Sequence, residues 1–398
     1  MTKVSDRLNR LAESATLAMA RMSRELKDEG KDVIALSLGE PDFDTPEFIK
    51  EAAKQAITDN YSHYTPVPGL LELREAIVKK FKRDNNLDFT TDQIVTSTGA
   101  KQSLANLALS LLNKGDEVLL PCPYWVSYSE IIKLAEGIPV EIPSSIDSNF
   151  KITPKQLEKS ITKNTKMLIF SSPCNPSGTV YTQNELEDFG KILIKFPNII
   201  IVADEIYEHI NFTEEHFSIG RINELKNRVV TVNGVSKGFA MTGWRVGFIG
   251  APLWIAKACN KIQGQVTSAT CAVAQKATEK AMLADPKSTT LEMKKTFLRR
   301  RDLLLNELSK IPGVKCNIPQ GAFYIFPDIS YYFGKSNGKI NITNANDLCM
   351  FLLNSCHVAL VAGDAFGNPE CVRISYAASD KQLIEAAKRI QTQLKTLK

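Results

Sequence analysis

Histidine is scarce in this 398-residue chain, with only His63, His209, His216 and His357. None forms a His-Glu-x-x-His or comparable ligand spacing, which argues against a zinc centre and leaves them structural or surface roles. There is no Cys-x-x-Cys either, because the eight cysteines stand alone at 122, 174, 259, 271, 316, 349, 356 and 371. Isolated thiols in so long a chain argue against a disulfide-stapled scaffold. No apolar run approaches the ~18 residues of a membrane-spanning helix, and charges interrupt Met1–Arg10 where a secretory leader needs apolar residues. Neither sign of charge dominates. Lys+Arg number 49 and Asp+Glu 44, a net +5 with no basic tail, which favours neither nucleic acid nor a membrane as partner. The densest basic stretch, Lys294-Lys295 with Arg299-Arg300-Arg301, is interleaved with Met293, Phe297, Leu298 and Leu303–Leu305 and reads as an amphipathic helix with a solvated basic face. The expected location is cytoplasmic.

What the chain does have is apolar mass, 43% of its residues against 23% charged, enough for sizeable cores and, at this length, for about two domains. From about Phe48 to Asp285, helical stretches alternate with short apolar runs at 93–96, 117–120, 166–170, 198–203, 228–232 and 246–250. Short β-branched runs separated by helical lengths predict an α/β fold with a mostly parallel sheet covered by helices on both faces. A long helix over about 287–311, one more helix, a strand at 372–376 and a final helix from about Ser379 predict a smaller α+β unit. The expected division is a large domain over 46–286 and a small one formed by 1–45 with 287–398.

Ligands of open α/β sheets bind beyond the carboxyl ends of the strands, so the polar residues after each apolar run come first. Ile199–Val202 is followed by Ala203-Asp204-Glu205-Ile206-Tyr207, and Val229–Val232 by Asn233-Gly234-Val235-Ser236-Lys237-Gly238. An acid at one strand end and a lysine at another suit pyridoxal phosphate, whose aldehyde bonds to an amine and whose ring nitrogen pairs with a carboxylate. Thr96-Ser97-Thr98-Gly99-Ala100-Lys101-Gln102 opens a helix, which places free N–H groups and a positive dipole end where a phosphate could sit. Ser171-Ser172-Pro173-Cys174-Asn175-Pro176-Ser177-Gly178 is a turn-rich loop presenting the Asn175 amide. Taken singly, each has an ordinary structural reading: a helix cap, a solvated lysine, a glycine required by turn geometry. Arg373, in Cys371-Val372-Arg373-Ile374-Ser375-Tyr376, is costly to bury unpaired and so calls either for an anionic ligand or for an internal salt bridge.

In this order the segments resemble the class I/II pyridoxal-phosphate aminotransferases of fold type I, most closely their bacterial-type aspartate aminotransferase branch. The most specific portion is Val232-Asn233-Gly234-Val235-Ser236-Lys237-Gly238-Phe239-Ala240-Met241-Thr242-Gly243-Trp244-Arg245-Val246-Gly247. The resemblance implies that Lys237 bonds to the cofactor, that Asp204 partners the pyridine nitrogen, and that Tyr207 and Asn175 bond the phenolic oxygen. It implies that Arg245 binds the phosphate with Ser236 and the Gly99-Ala100-Lys101 backbone, and that Trp125 stacks on the ring. For the substrate it implies that Arg373 grips the α-carboxylate, with Gly39, Trp125 and Asn175 beside it. Tyr64, in His63-Tyr64-Thr65-Pro66-Val67-Pro68-Gly69, resembles the tyrosine that reaches a neighbouring subunit's phosphate, which implies a homodimer with shared sites.

Two positions depart from the pattern. Gly234 stands where many relatives carry Ser or Thr, leaving Ser236 as the substitute donor. Ala12-Glu13 stand where some relatives, including those accepting prephenate, have Lys-Pro. The expected activity is amino transfer from an L-amino acid, best matched by L-aspartate, to 2-oxoglutarate, with the cofactor alternating between its pyridoxal and pyridoxamine forms. Aromatic or alanine-type aminotransferases and a C–S lyase share the scaffold, since function lives in the site rather than the fold. A cofactor-binding gene regulator would need a DNA-binding segment, and neither a helix-turn-helix pattern nor a basic stripe is present.

Overall fold

The computed structural model describes residues 4–213 and 215–398; the first three residues of the expected small unit lie outside the described residues. A two-residue strand β1 (Ile34–Ala35) precedes seven strands of one sheet: β2 (Ile94–Ser97), β3 (Glu117–Pro121), β4 (Ile138–Ile142), β5 (Thr165–Ser171), β6 (Ile200–Asp204), β7 (Val229–Gly234) and β8 (Gly247–Gly250). Their order across the sheet is β2-β8-β7-β6-β5-β3-β4. Neighbours from β4 to β7 are parallel, and β8 runs antiparallel to both β7 and β2. The strands are apolar almost throughout because both faces are covered. On β6, Ile200 and Val202 pack into one core while Ile201 and Ala203 pack into another, the period of two that a sandwiched strand requires.

β4 is absent from the expected strands. It is an edge strand carrying Pro139 and Glu141 with only Ile142 buried, so it lacks the apolar run that marks the others. The expected continuous helix over 287–311 is two helices, Pro286–Thr289 and Leu291–Leu308. Ser288 and Thr289 turn their hydroxyls back onto the Asp285 carbonyl and Thr290 bonds Pro286, the local competition that breaks helices at hydroxyl-rich runs. The basic face of that helix is not uniformly solvated. Arg300 is buried, bonds Asp42 at 2.7 Å and lies against the rings of Phe43 and Phe297.

Another core gathers Met19, Val33, Ile34 and Leu36 with residues from Met293 to Leu397, and takes in Tyr207 and Ile210 from the turn after β6. Here β1 pairs with β10 (Val358–Ala359), while β12 (Val372–Ser375) lies between β11 (Val361–Ala362) and β9 (Tyr324–Ile325). Among the described residues, no helix is long and apolar enough to cross a membrane.

Candidate active site

The carboxyl ends of β5, β6 and β7 open onto a cleft of about 270 Å³. Of the residues singled out in the sequence, Gly39, Ala100, Lys101, Trp125, Asn175, Asp204, Tyr207, Ser236, Lys237, Arg245 and Arg373 all line it. Gly99 lies directly behind Arg245. Tyr64 does not join them; it is 98% exposed on the surface of the chain.

β6 ends at Asp204, whose buried carboxylate accepts from the Tyr128 hydroxyl at 2.7 Å and the Ile206 N–H at 3.2 Å. Burial raises its pKa to about 6 against the lowering effect of those donors, and no basic side chain is paired with it among the described residues. Tyr207, three residues on, shares a 2.7 Å hydrogen bond with the hydroxyl of Tyr324 on β9.

Lys237 follows β7, and its ammonium donates to the Gly39 carbonyl at 2.5 Å beside the rings of Tyr207 and Phe323. Burial and then the nearby Arg373 push its pKa down to about 8, so near neutrality the free amine is within reach. The connection from β7 to β8 continues to Arg245, which adopts a left-handed backbone (φ 56°) and donates to the Thr242 carbonyl at 2.9 Å. Its guanidinium lies against Gly99, the residue preceding the helix Ala100–Leu111. Gln102 and Ser103 donate their N–H groups to the Gly99 carbonyl, which leaves those of Ala100 and Lys101 to form, with Arg245 and Ser236, a cradle for an anion.

Arg373, on β12, is 1% exposed and has no carboxylate partner among the described residues, so the internal salt bridge left open by the sequence is not what is seen. It donates to Asn175 at 2.9 Å and to the Ser37 carbonyl, packs between the rings of Tyr324 and Phe366, and leaves its Nε unbonded. Trp125 stands edge-on to Tyr128, with the Lys101 ammonium 5.0 Å from its ring centre.

Tyr128 and Tyr324 were not singled out from the sequence. Tyr128 falls one helical turn after Trp125, a spacing that places both on one side, so Trp-x-x-Tyr was a usable signal. Tyr324 sits within the apolar run Ala322–Phe326 and carries no local mark.

A family model for aminotransferases of class I and II matches residues 31–390, and the chain belongs to that family. It is 44% identical over 396 residues to an aspartate/prephenate aminotransferase of Nitrosomonas europaea, covering 98% of this chain and 100% of the relative. It is 45% identical to a bifunctional aspartate aminotransferase and glutamate/aspartate-prephenate aminotransferase of Petunia hybrida, covering 99% and 83%. Among solved structures, the aspartate aminotransferase of Rhizobium meliloti superposes with a TM-score of 0.96 at 40% identity over 100% of both chains. That of Thermus thermophilus with maleate gives 0.93 at 37% identity, covering 99% and 100%. The protein is therefore an aminotransferase of fold type I that uses pyridoxal phosphate.

The cleft fits that cofactor on its own terms. It offers a buried carboxylate in no salt bridge among the described residues, a lysine whose amine is readily freed, and an anion cradle whose Arg245 guanidinium packs so closely on Gly99 that a Cβ there would strike it.

Proposed function

We propose that this aminotransferase moves the amino group of L-aspartate to 2-oxoglutarate. One observation carries the reading: four basic side chains, Lys101, Lys237, Arg245 and Arg373, line the cleft against a single carboxylate, Asp204. With Lys237 bonded to the cofactor aldehyde, Arg245 on the phosphate and Arg373 on the α-carboxylate, Lys101 remains for a second carboxylate. An aromatic or alanine-type substrate would leave it unused. The relatives named for aspartate, and the Thermus thermophilus structure with the dicarboxylate maleate, support the same substrate class. The exposed Ala12-Glu13 segment offers no cation, and Ala12 donates its N–H to Glu130 instead.

When bound, pyridoxal phosphate supplies an electron sink for the charge left at the substrate Cα. Asp204 would keep the ring nitrogen protonated, and Tyr207 with Asn175 would donate to the phenolic oxygen. Ser236, Arg245 and the Gly99-Ala100-Lys101 backbone would hold the phosphate, and Trp125 would offer the ring an aromatic surface to pack on. Arg373 fixes the α-carboxylate by two parallel hydrogen bonds, with the Gly39 backbone close by. The Lys237 amine would serve as the base that takes up the substrate Cα proton and holds it for its return.

The fully exposed Tyr64 supports a homodimer in which this residue completes the partner's phosphate site, in a protein of the cytoplasm. The core that joins 1–45 to 287–398 supports a small domain that closes over a large one of 46–286, carrying Arg373 with it. The test is a half-reaction screen across amino acids, followed by cofactor absorbance. Aspartate and glutamate should convert fastest; preference for aromatic amino acids or alanine, or release of a thiol from cysteine conjugates, would overturn the assignment.

A further inference from the structure

The turn after β6 has two faces. Asp204 and Tyr207 line the cleft, whereas Glu205 and Glu208 enter a buried polar cluster that does not touch it. The cluster is completed from the end of the helix Leu71–Lys80, which continues as a π-turn over Phe81–Asn85. In an α-helix, residues five apart face different ways, but the i→i+5 ladder of a π-turn brings Lys80 and Asn85 to the same side. The Lys80 ammonium donates to Asn85 Oδ1 at 2.5 Å, and the Asn85 amide donates to Glu205 at 2.9 Å and Glu208 at 2.6 Å. Ser218 donates to the other Glu205 oxygen at 2.6 Å, and His216 lies 3.0 Å from Glu205.

Two sets of donor atoms here, Asp84 with Glu208 and His209, and Glu205 with Glu208 and His216, have the proximity of metal ligands. The position of the cation is already taken by Lys80, 1% exposed and paired with Glu208. Burial alone would raise the Glu208 carboxyl, but Lys80, His209 and His216 hold it down to about 2. The cluster is a strut rather than an ion site.

The strut has a mechanical counterpart. On its other side the same turn is tied to the small unit, through Ala322 N–H to the Ile210 carbonyl and Phe212 N–H to the Gln320 carbonyl, both 2.7 Å, and through the Tyr207–Tyr324 pair. Its last bond to the sheet is Glu205 N–H to the Val232 carbonyl at 2.9 Å. A shift of the small unit therefore pulls on the residues that face the cofactor, and the strut opposes it.

We propose that Asn85 and Lys80 are positioning residues for amino transfer, holding the Asp204–Tyr207 turn in register with the sheet. The inference rests on the reading that Asp204 and Tyr207 meet the cofactor. The test compares holoenzymes of wild type, Asn85→Leu, Glu205→Gln and Asp204→Asn by kcat, KM, thermal stability and the pH midpoint of cofactor absorbance. Asn85→Leu should lower kcat about tenfold with KM for the amino acid within about twofold, and move the midpoint by about half a pH unit or more. Glu205→Gln should do the same to a smaller degree, and decides the matter if Asn85→Leu does not fold. Lowered stability with kcat and midpoint unchanged would overturn the proposal. A midpoint unmoved by Asp204→Asn would instead remove the reading of Asp204 beneath it, whatever Asn85 does.

Discussion

The Arg245 guanidinium occupies the space that a Cβ on Gly99 would need. Gly99 also holds φ 83° and ψ 157°, a region that side-chain-bearing residues avoid at a cost of about 1–3 kcal/mol. Gly99→Ala should therefore displace Arg245 as well as strain the helix start. Cofactor affinity, measured by equilibrium dialysis of the apoprotein, should fall about tenfold or more. An unchanged affinity would place the phosphate elsewhere.

Lys237→Ala should abolish turnover and leave the fold intact. Borohydride reduction of the holoenzyme, followed by peptide mapping, should find the cofactor on Lys237 alone. Because burial and Arg373 lower this amine to about 8, the rate of cofactor capture by the apoprotein should rise with pH around that value. A midpoint near the ordinary lysine range of about 10.4 would contradict it.

Arg373→Lys should lower kcat/KM for every amino acid by at least about 2 kcal/mol, since an ammonium cannot reproduce two parallel bonds to a carboxylate. Cofactor affinity should hardly change. Lys101→Ala separates the two anionic contacts: it should depress kcat/KM for aspartate about tenfold or more while sparing alanine. Equal losses for both substrates would remove Lys101 from the distal carboxylate.

The Asp204 carboxyl is raised to about 6 when folded, against 3.8. The native state thus keeps a proton that the unfolded chain has lost between these values, and apoprotein stability falls as pH rises through that window. Asp204→Asn avoids the buried charge, so its apoprotein should be more stable than wild type at pH 7, by on the order of 2 kcal/mol, while turnover is lost. Denaturant unfolding of the two apoproteins at pH 4 and 7 checks it, and a gap that does not grow with pH would refute the linkage.

Tyr64→Ala and Lys237→Ala should complement one another when mixed, because in a heterodimer both lesions fall on one site and the other is native. Activity should return as heterodimers form, as followed by mass. Heterodimers without activity would mean that Tyr64 serves only its own surface loop.

Much of the site was legible because its residues stand at strand ends, where a short pattern fixes both secondary structure and direction. Asp204 follows its apolar run closely and Lys237 stands five residues past Val232, so the parallel sheet carries both to the same edge. Arg373 was legible from the cost of burying a guanidinium. The strut was not, since Lys80 and Asn85 lie far in sequence from Glu205 and reach it through a π-turn that has no sequence signature. Arg300 was read as solvated because helical periodicity reports a face but not the Asp42 loop that covers it.

β7 and β8 are antiparallel neighbours, so the chain leaves the sheet at the cleft and returns there, and that single excursion carries both Lys237 and Arg245. In the roles proposed for them, the grip on the aldehyde and the grip on the phosphate form one local caliper, set to the cofactor's length by a hairpin connection. Arg373 belongs to another sheet and Lys101 to another helix. Selectivity for the amino acid can thus drift over evolution through parts of the chain that leave the caliper's gauge untouched.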